Sequence, residues 1–325
     1  MSKNNLALVK EKYAYKTTDY IDRTGAESDF IRRQYEPDAR ELKTKQDELT
    51  DPIGDEAHSP VKGIVHRYPD RVLLKPVHAC AVYCRFCFRR EMVGPQKEFL
   101  NIDELEAALD YIRAHREIWE VILTGGDPLI LSPRRLAALL KKLNEINHVR
   151  VVRLHTRLPL VAPAKINDTL LDVLKNAAQD KAVYMCLHVN HADELGAPVK
   201  AALRRLHQSG CVLLSQSVLL KGINDSAAAL AALFQELVAH HVKPYYLHHP
   251  DKAPGTSHFR VSIARGQEIM KELRGTISGL CQPTYMLDIP EGNGKVPLTP
   301  CYIHEKDRCG EYKVEDPHGT LHDYA

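Results

Sequence analysis

Three cysteines close together are the first residues of this chain whose types and spacing could do chemistry. Cys80, Cys84 and Cys87 stand in Cys80-Ala81-Val82-Tyr83-Cys84-Arg85-Phe86-Cys87, a C-x3-C-x2-C run just after the apolar Val72-Leu73-Leu74. Thiolates are soft ligands that suit zinc or an iron–sulfur cluster, and four of them ordinarily close either site. The next cysteine along the chain is Cys186. A four-iron cluster on three thiolates would leave one iron open to a small molecule; zinc, or three unrelated buried thiols, is the plainer alternative. Tight clustering in a chain of 325 residues with eight cysteines points to metal. A second stretch is Leu123-Thr124-Gly125-Gly126-Asp127-Pro128. Paired glycines let the backbone bend and approach a ligand, and Asp127 could accept hydrogen bonds from an ammonium group, although Gly-Gly-Asp alone most often marks a turn. A third is Asp288-Ile289-Pro290-Glu291-Gly292-Asn293-Gly294-Lys295. A lysine amine on such a loop can form a Schiff base with pyridoxal phosphate (PLP), while a Gly-x-Gly turn by itself says little.

These residues must be held by something, and the chain from about residue 70 alternates strand and helix signals. Apolar β-rich runs fall at Val72–Leu74, Val121–Leu123, Val149–Leu154, Ala182–Leu187, Val212–Leu220 and Tyr245–Leu247. Helix-period segments lie between them, such as Asp103–His115, Leu136–Leu143, Thr169–Ala178, Val199–Gln208, Ala227–Ala239 and Gly266–Leu273. Several open on cap-like residues: Ser132 before Pro133, Asn167-Asp168 and Asp225-Ser226. Such alternation means parallel strands joined by crossover helices. Six repeats fall short of a full eightfold barrel, so the expectation is an α/β fold, a partial (βα)6 barrel of the TIM type, with functional groups at the C-terminal ends of the strands. The cysteines do follow the first strand directly. Residues 1–60 read as a helical N-terminal extension, with helix over Asp29–Gln46 interrupted at Pro37 and with Tyr13, Tyr15, Tyr20, Phe30, Ile31 and Tyr35 to bury. Residues 61–300 are the barrel and 301–325 a short C-terminal tail.

Composition excludes several classes. With 44 basic and 42 acidic side chains the net charge is +2, which gives no electrostatic case for nucleic acid or a membrane surface. No run approaches the ~18 apolar residues of a membrane span, and the N-terminus lacks the apolar core of a signal peptide. The cysteines form no compact disulfide framework, so a reducing cytoplasm is expected.

The cysteine spacing resembles the cluster motif of the radical S-adenosylmethionine (radical SAM) enzymes. Taken with it, Arg67-Tyr68-Pro69-Asp70-Arg71-Val72-Leu73-Leu74, Arg89-Arg90, Gln216-Ser217-Val218-Leu219-Leu220-Lys221-Gly222, Pro244-Tyr245-Tyr246, His258-Phe259-Arg260 and the Lys295 loop occur in order. Together they resemble the lysine 2,3-aminomutase family, radical SAM enzymes that also use PLP, over roughly residues 54–303. The resemblance implies a [4Fe-4S] cluster on Cys80, Cys84 and Cys87, with S-adenosylmethionine (SAM) on the open iron and its amino group by Gly125, Gly126 and Asp127. It implies that Lys295 carries PLP, with Tyr68, Arg71, His188 and Gln216 in the cofactor pocket. Arg89 would grip the α-carboxylate of the substrate, and Asp251 and Asp288 its ε-ammonium, where a glutamate enzyme would need a cation. The implied activity is that of an isomerase converting L-lysine to β-lysine by 1,2-amino migration, fed by a one-electron donor such as flavodoxin or ferredoxin. The alternative is the short branch of the family that supplies β-lysine for elongation factor P. Ser226 stands where long members have a further cysteine, and the chain departs from their cysteine-rich tail, so no structural zinc is expected at Cys301 and Cys309, and a homo-oligomer need not be theirs.

Overall fold

The computed structural model describes residues 3–94, 99–304 and 312–324. Three short helices come first: α1 (Lys3–Lys12), α2 (Asp19–Glu27) and α3 (Asp29–Tyr35). Thr18 and Ser28 cap the second and third, each side chain accepting from the backbone N–H three residues on. Ile21, Ile31 and Tyr35 are buried and join the same apolar core as the barrel, so this extension is held by packing as well as by local propensity. A single 3-10 turn, Ala39–Leu42, follows Pro37.

The sheet begins with a hairpin. β1 (Ile64–Tyr68) turns at Pro69-Asp70 and pairs antiparallel with β2 (Arg71–Val77). From β2 onward each new neighbour is parallel and is added in chain order: β3 (Glu120–Gly125), β4 (Val151–Thr156), β5 (Ala182–His188), β6 (Val212–Val218), β7 (Val242–His248) and β8 (Thr284–Asp288). β9 (Lys295–Pro297) then doubles back antiparallel on β8. Parallel neighbours need crossovers, supplied by α4 (Ile102–Ala114), α5 (Pro133–Asn144), the single turn α6 (Leu158–Val161) with α7 (Asp168–Asp180), α8 (Ala197–Gln208), α9 (Ala227–Ala239) and α10 (Ile263–Arg274). Each long helix buries one stripe. In α5, Leu136, Leu139, Leu140 and Leu143 are buried at i, i+3, i+4 and i+7; each is worth about 1.5–3 kcal/mol as an upper bound. Ser132, Asn167 and Ser226 cap α5, α7 and α9 as the sequence suggests.

Seven parallel strands therefore replace the six expected, flanked by antiparallel β1 and β9. The missed strand, β8, has five residues set between Pro283 and Pro290, so its apolar centre Tyr285-Met286 reads as loop when judged alone. Lys295 consequently opens a strand, not a free loop. Side chains from β2 through β8 line one common cavity, which makes the sheet a curved half-barrel. Its two edges are bridged by side chains: the backbone N–H of Lys295 in β9 donates to the Tyr68 hydroxyl at the end of β1, 2.8 Å away. A strap of residues 51–58 lies beside this bridge, where His58 Nε2 and the Gly292 carbonyl are 3.1 Å apart.

After the barrel, β10 (Ile303–His304), β11 (Tyr312–Glu315) and β12 (Leu321–Tyr324) form a separate antiparallel sheet where a plain tail is expected. Cys301 is exposed; Cys309 lies outside the described residues. Among the described residues no helix is long and apolar enough to cross a membrane.

Candidate active site

A cavity of about 530 Å³ opens at the C-terminal ends of the strands. Cys80, Cys84 and Cys87 line it from the loop after β2, and Lys295, Asp251 and Asp288 form another part of its wall. The sequence places these groups as much as 215 residues apart (Cys80 to Lys295), and β2, β8 and β9 bring them into one chamber.

The cysteine loop is anchored on three sides. Gly126 N–H donates to Val77 O (2.7 Å) and Asp127 N–H to Ala79 O (3.0 Å). A Cβ built on Gly126 would lie 2.0 Å from Ala79 O, so only glycine admits this approach. From the N-terminal extension, Tyr83 N–H donates to Lys16 O (3.0 Å) and Arg85 N–H to Gln34 O (2.8 Å). Beneath the loop Glu41, fully buried, accepts Arg85 through Nε (3.0 and 3.1 Å) and Nη2 (2.5 Å), and Arg90 through Nη2 (2.5 Å). Arg90 also lies over the Tyr13 ring, 3.6 Å from its centroid. Two guanidiniums on one buried carboxylate make this a pair that cannot lose its anion cheaply.

Asp127 is corrected by the structure. Its Oδ1 accepts from Leu129 N–H (3.0 Å) and Thr156 Oγ1 (2.7 Å), and its Oδ2 from Arg157 N–H (2.8 Å) and Leu158 N–H (3.0 Å). A carboxylate has about four acceptor sites, and all are spent tying the turn after β3 to the turn after β4. The expected ammonium acceptor is a clamp between two strand ends.

That clamp sets Arg157, which sequence reading passed over. Arg157 Nη1 donates to Cys84 Sγ (3.2 Å), and Nη2 to Gln34 Oε1 and Glu194 Oε2 (both 2.6 Å). Its place directly after a barrel strand was the available signal. Burial pushes all three thiols of the motif above their ordinary value, Cys87 to about 11. Left to themselves they are neutral; a bound metal would be needed to keep them as thiolates. Among the described residues no three His, Cys, Asp or Glu side chains converge on a single ion position. A lone zinc ion would gather its sulfurs at about 2.3 Å each, whereas a polynuclear cluster spreads its ligands over separate irons.

In the part of the wall formed by the aspartates, Lys295 Nζ donates to both oxygens of Asp288, and His248 Nδ1 stands 3.6 Å from Oδ2. Burial raises Asp288, but His248 and Lys295 outweigh it and hold the carboxyl well below the usual range. Asp251 behaves oppositely: burial first, then the charge of Asp288, pushes it up to about 7. One carboxylate is thus fixed as an anion while its neighbour titrates near neutrality. Arg89, 8% exposed and also in the cavity wall, donates through Nε (3.2 Å) and Nη2 (2.9 Å) to Asp55 Oδ2. His188 ends β5 and Gln216 lies in β6; both line the cavity, as does His155 of β4. His155 Nε2 and His188 Nε2 are buried with no hydrogen-bond partner among the described residues, a surplus of polar atoms suited to a bound ligand. Near β1, Arg71 stacks on the Tyr68 ring at 3.8 Å and pairs with Asp70 at 2.7 Å.

This arrangement can be set beside known proteins. The Radical SAM superfamily profile matches residues 74–234, and the lysine-2,3-aminomutase profile matches 270–309. The putative L-lysine 2,3-aminomutase of Aquifex aeolicus is 41% identical over 86% of this chain and 75% of its own length. The chain belongs to the lysine 2,3-aminomutase family. Two further members bracket its chemistry: the L-lysine 2,3-aminomutase of Escherichia coli, 39% identical over 81% of this chain and 78% of its own, and the glutamate 2,3-aminomutase of Clostridioides difficile, 41% identical over 82% and 62%. The radical SAM profile brings a [4Fe-4S] cluster and SAM; PLP is what the resemblance in sequence adds. The aminomutase cavity fits all three: protonation-prone thiols, a lysine amine and unpartnered imidazole nitrogens all line it.

Proposed function

We propose that this chain is a radical SAM, PLP-dependent 2,3-aminomutase, an isomerase that converts free L-lysine to β-lysine. The observation that carries the substrate choice is that Asp251 and Asp288 line the same cavity as Lys295 and Arg89. A buried ammonium is costly unless paired. Two carboxylates and a guanidinium in one cavity suit an amino acid with a cationic tail, whereas a glutamate tail would meet repulsion at the carboxylates.

The cofactors would supply a hydrogen-abstracting carbon radical and a π-system that carries an unpaired electron while nitrogen migrates. Cys80, Cys84 and Cys87 would hold the cluster, with the backbone at Gly125 and Gly126 approaching SAM. Lys295 would hold PLP, with Tyr68, Arg71, His188 and Gln216 around it. What the chain itself does is position. Arg89 holds the α-carboxylate. Asp251 and Asp288 hold the ε-ammonium, which takes over the role Lys295 plays against Asp288 in the free chain. Asp251 gives up a proton as that cation arrives. Ile53 and Asp55 of the strap line the cavity and would help keep water from the reacting carbon.

A flavodoxin- or ferredoxin-type electron donor and a cytoplasmic setting belong to this reading; Cys186, Cys211 and Cys281 are free and buried, and nothing in the site depends on a disulfide. The test is to incubate the reduced, reconstituted protein with SAM, PLP and free L-lysine and to separate the amino acids by chromatography and mass. β-Lysine is the expected product. SAM cleavage that requires elongation factor P would replace this reading with modification of that factor, and turnover of glutamate in preference to lysine would refute the role of the two aspartates.

A further inference from the structure

Asp55 sits on the strap before β1, its side chain 1% exposed, and belongs to none of the motifs above. A buried carboxylate needs partners, and three cations share this one. Arg89 donates to Oδ2 through Nε (3.2 Å) and Nη2 (2.9 Å); Arg67 Nη2 lies 3.5 Å from Oδ1 and Lys75 Nζ 3.8 Å from Oδ2. Burial raises Asp55, but Arg89, Lys75 and Arg67 together outweigh it and keep the carboxyl below its ordinary value. It is an anion in the folded chain.

The geometry of the pair matters more than its charge. A guanidinium has a side edge, Nε with Nη2, and an end edge, Nη1 with Nη2. Asp55 occupies the side edge. On the other side Nη1 reaches Thr124 Oγ1 at 3.4 Å, at the end of β3. Thr124 and Asp55 take one hydrogen each from Nη1 and Nη2, which leaves a second N–H on each of these nitrogens, and both Arg89 and Asp55 line the cavity. Asp55 is itself held from behind, because Arg67 donates to Ile53 O at 2.5 Å and so fixes the strap against β1.

We propose that Asp55 is a positioning residue for substrate recognition: it clamps the side edge of Arg89 so that the end edge meets the α-carboxylate of the amino acid. This rests on the reading that Arg89 takes a carboxylate. It assigns the strap a part in specificity at the carboxylate end.

The test compares ligands that differ only at that end. Cofactor-loaded wild type and Asp55→Asn are titrated by calorimetry with L-lysine, with L-glutamate and with 1,5-diaminopentane, which is lysine without its carboxylate. Asp55→Asn should bind lysine roughly tenfold to hundredfold more weakly, the size that follows when the support of a gripping residue is removed. Its affinity for the diamine should not change, and in turnover the loss should fall on KM. Equal losses for lysine and diamine, or none for either, would overturn the proposal, since a general structural defect treats both ligands alike. If Asp55→Asn does not fold, Asp55→Glu keeps the charge and moves it by one methylene, and the same split between lysine and diamine is required of it. A wild type that binds glutamate and not lysine would sink the lysine reading alone; Asp55 would still be upheld by weaker glutamate binding in the variant. A wild type that binds neither amino acid overturns both.

Discussion

Lysine binding should release a proton from Asp251, and the structure sets the pH at which this happens. Burial and the charge of Asp288 push Asp251 up to about 7 in the free chain. An arriving ε-ammonium stabilises the ionised form, so binding below pH 7 must first expel that proton. The apparent Kd then scales as one plus the ratio of protonated to ionised Asp251. With a midpoint at about 7 that factor is about 11 at pH 6 and about 1.1 at pH 8, a tenfold change or ~1.4 kcal/mol. The measurement is lysine affinity by calorimetry from pH 5.5 to 8.5, in buffers of differing ionisation enthalpy, for wild type and Asp251→Asn. Protons lost by the α-amino group of lysine are common to both proteins and cancel in the difference. Wild type should show one extra power of ten per pH unit below the midpoint and no difference in slope above it. Parallel profiles for the two proteins would refute the reasoning. Stability carries the same signature with its own sign. Because the folded value lies above the model-compound value of 3.8, the protonated form is favoured on folding. That contribution is complete below about pH 4 and is lost as pH rises to about 7.

Three other outcomes follow from the same geometry. Glu41→Gln strips the carboxylate that Arg85 and Arg90 share, and should cost about 3–5 kcal/mol in denaturant unfolding; a loss below about 1 kcal/mol would mean the pair is not desolvated as its burial implies. Gly126→Ala forces a methyl into Ala79 O and should lower stability by about 1–3 kcal/mol while displacing the cysteine loop, seen as reduced iron uptake on reconstitution; a variant with full iron content would show that the close approach is dispensable. Lys295→Ala should abolish amino migration and leave the cluster's absorption unchanged, whereas Cys84→Ser should lose iron and Cys186→Ser should keep it; any other pattern of iron content would remove the three-thiol assignment.

How much of this was legible from residues alone depends on whether the signal is local. The cysteine spacing, the caps at Ser132, Asn167 and Ser226 and the buried stripe of α5 are short-range patterns, and each stands where the sequence puts it. Six of the seven parallel strands announce themselves as apolar runs, because strands covered on both faces must be apolar on both. β8 does not, since prolines bracket it and its role is defined by β7 and β9 on either side. Asp127 shows the converse limit. Its motif is conspicuous, yet its carboxylate is consumed by backbone donors thirty residues away on another turn.

Residue type and spacing by themselves singled out three clustered thiols as a candidate ligand set, alternating strand and helix as the fold, and which lysine and aspartates are chemically notable. Only the folded chain decided their relations. Whether Asp251 is a proton donor and Asp288 an anion depends on which cations stand beside each at a few ångströms, and Coulomb energies in a buried site change steeply over that distance. Asp55 is an unremarkable acid in the sequence. It becomes the partner of Arg89 because the strap that carries it crosses to the end of β3, a long-range placement set by packing of the whole half-barrel and by no local pattern.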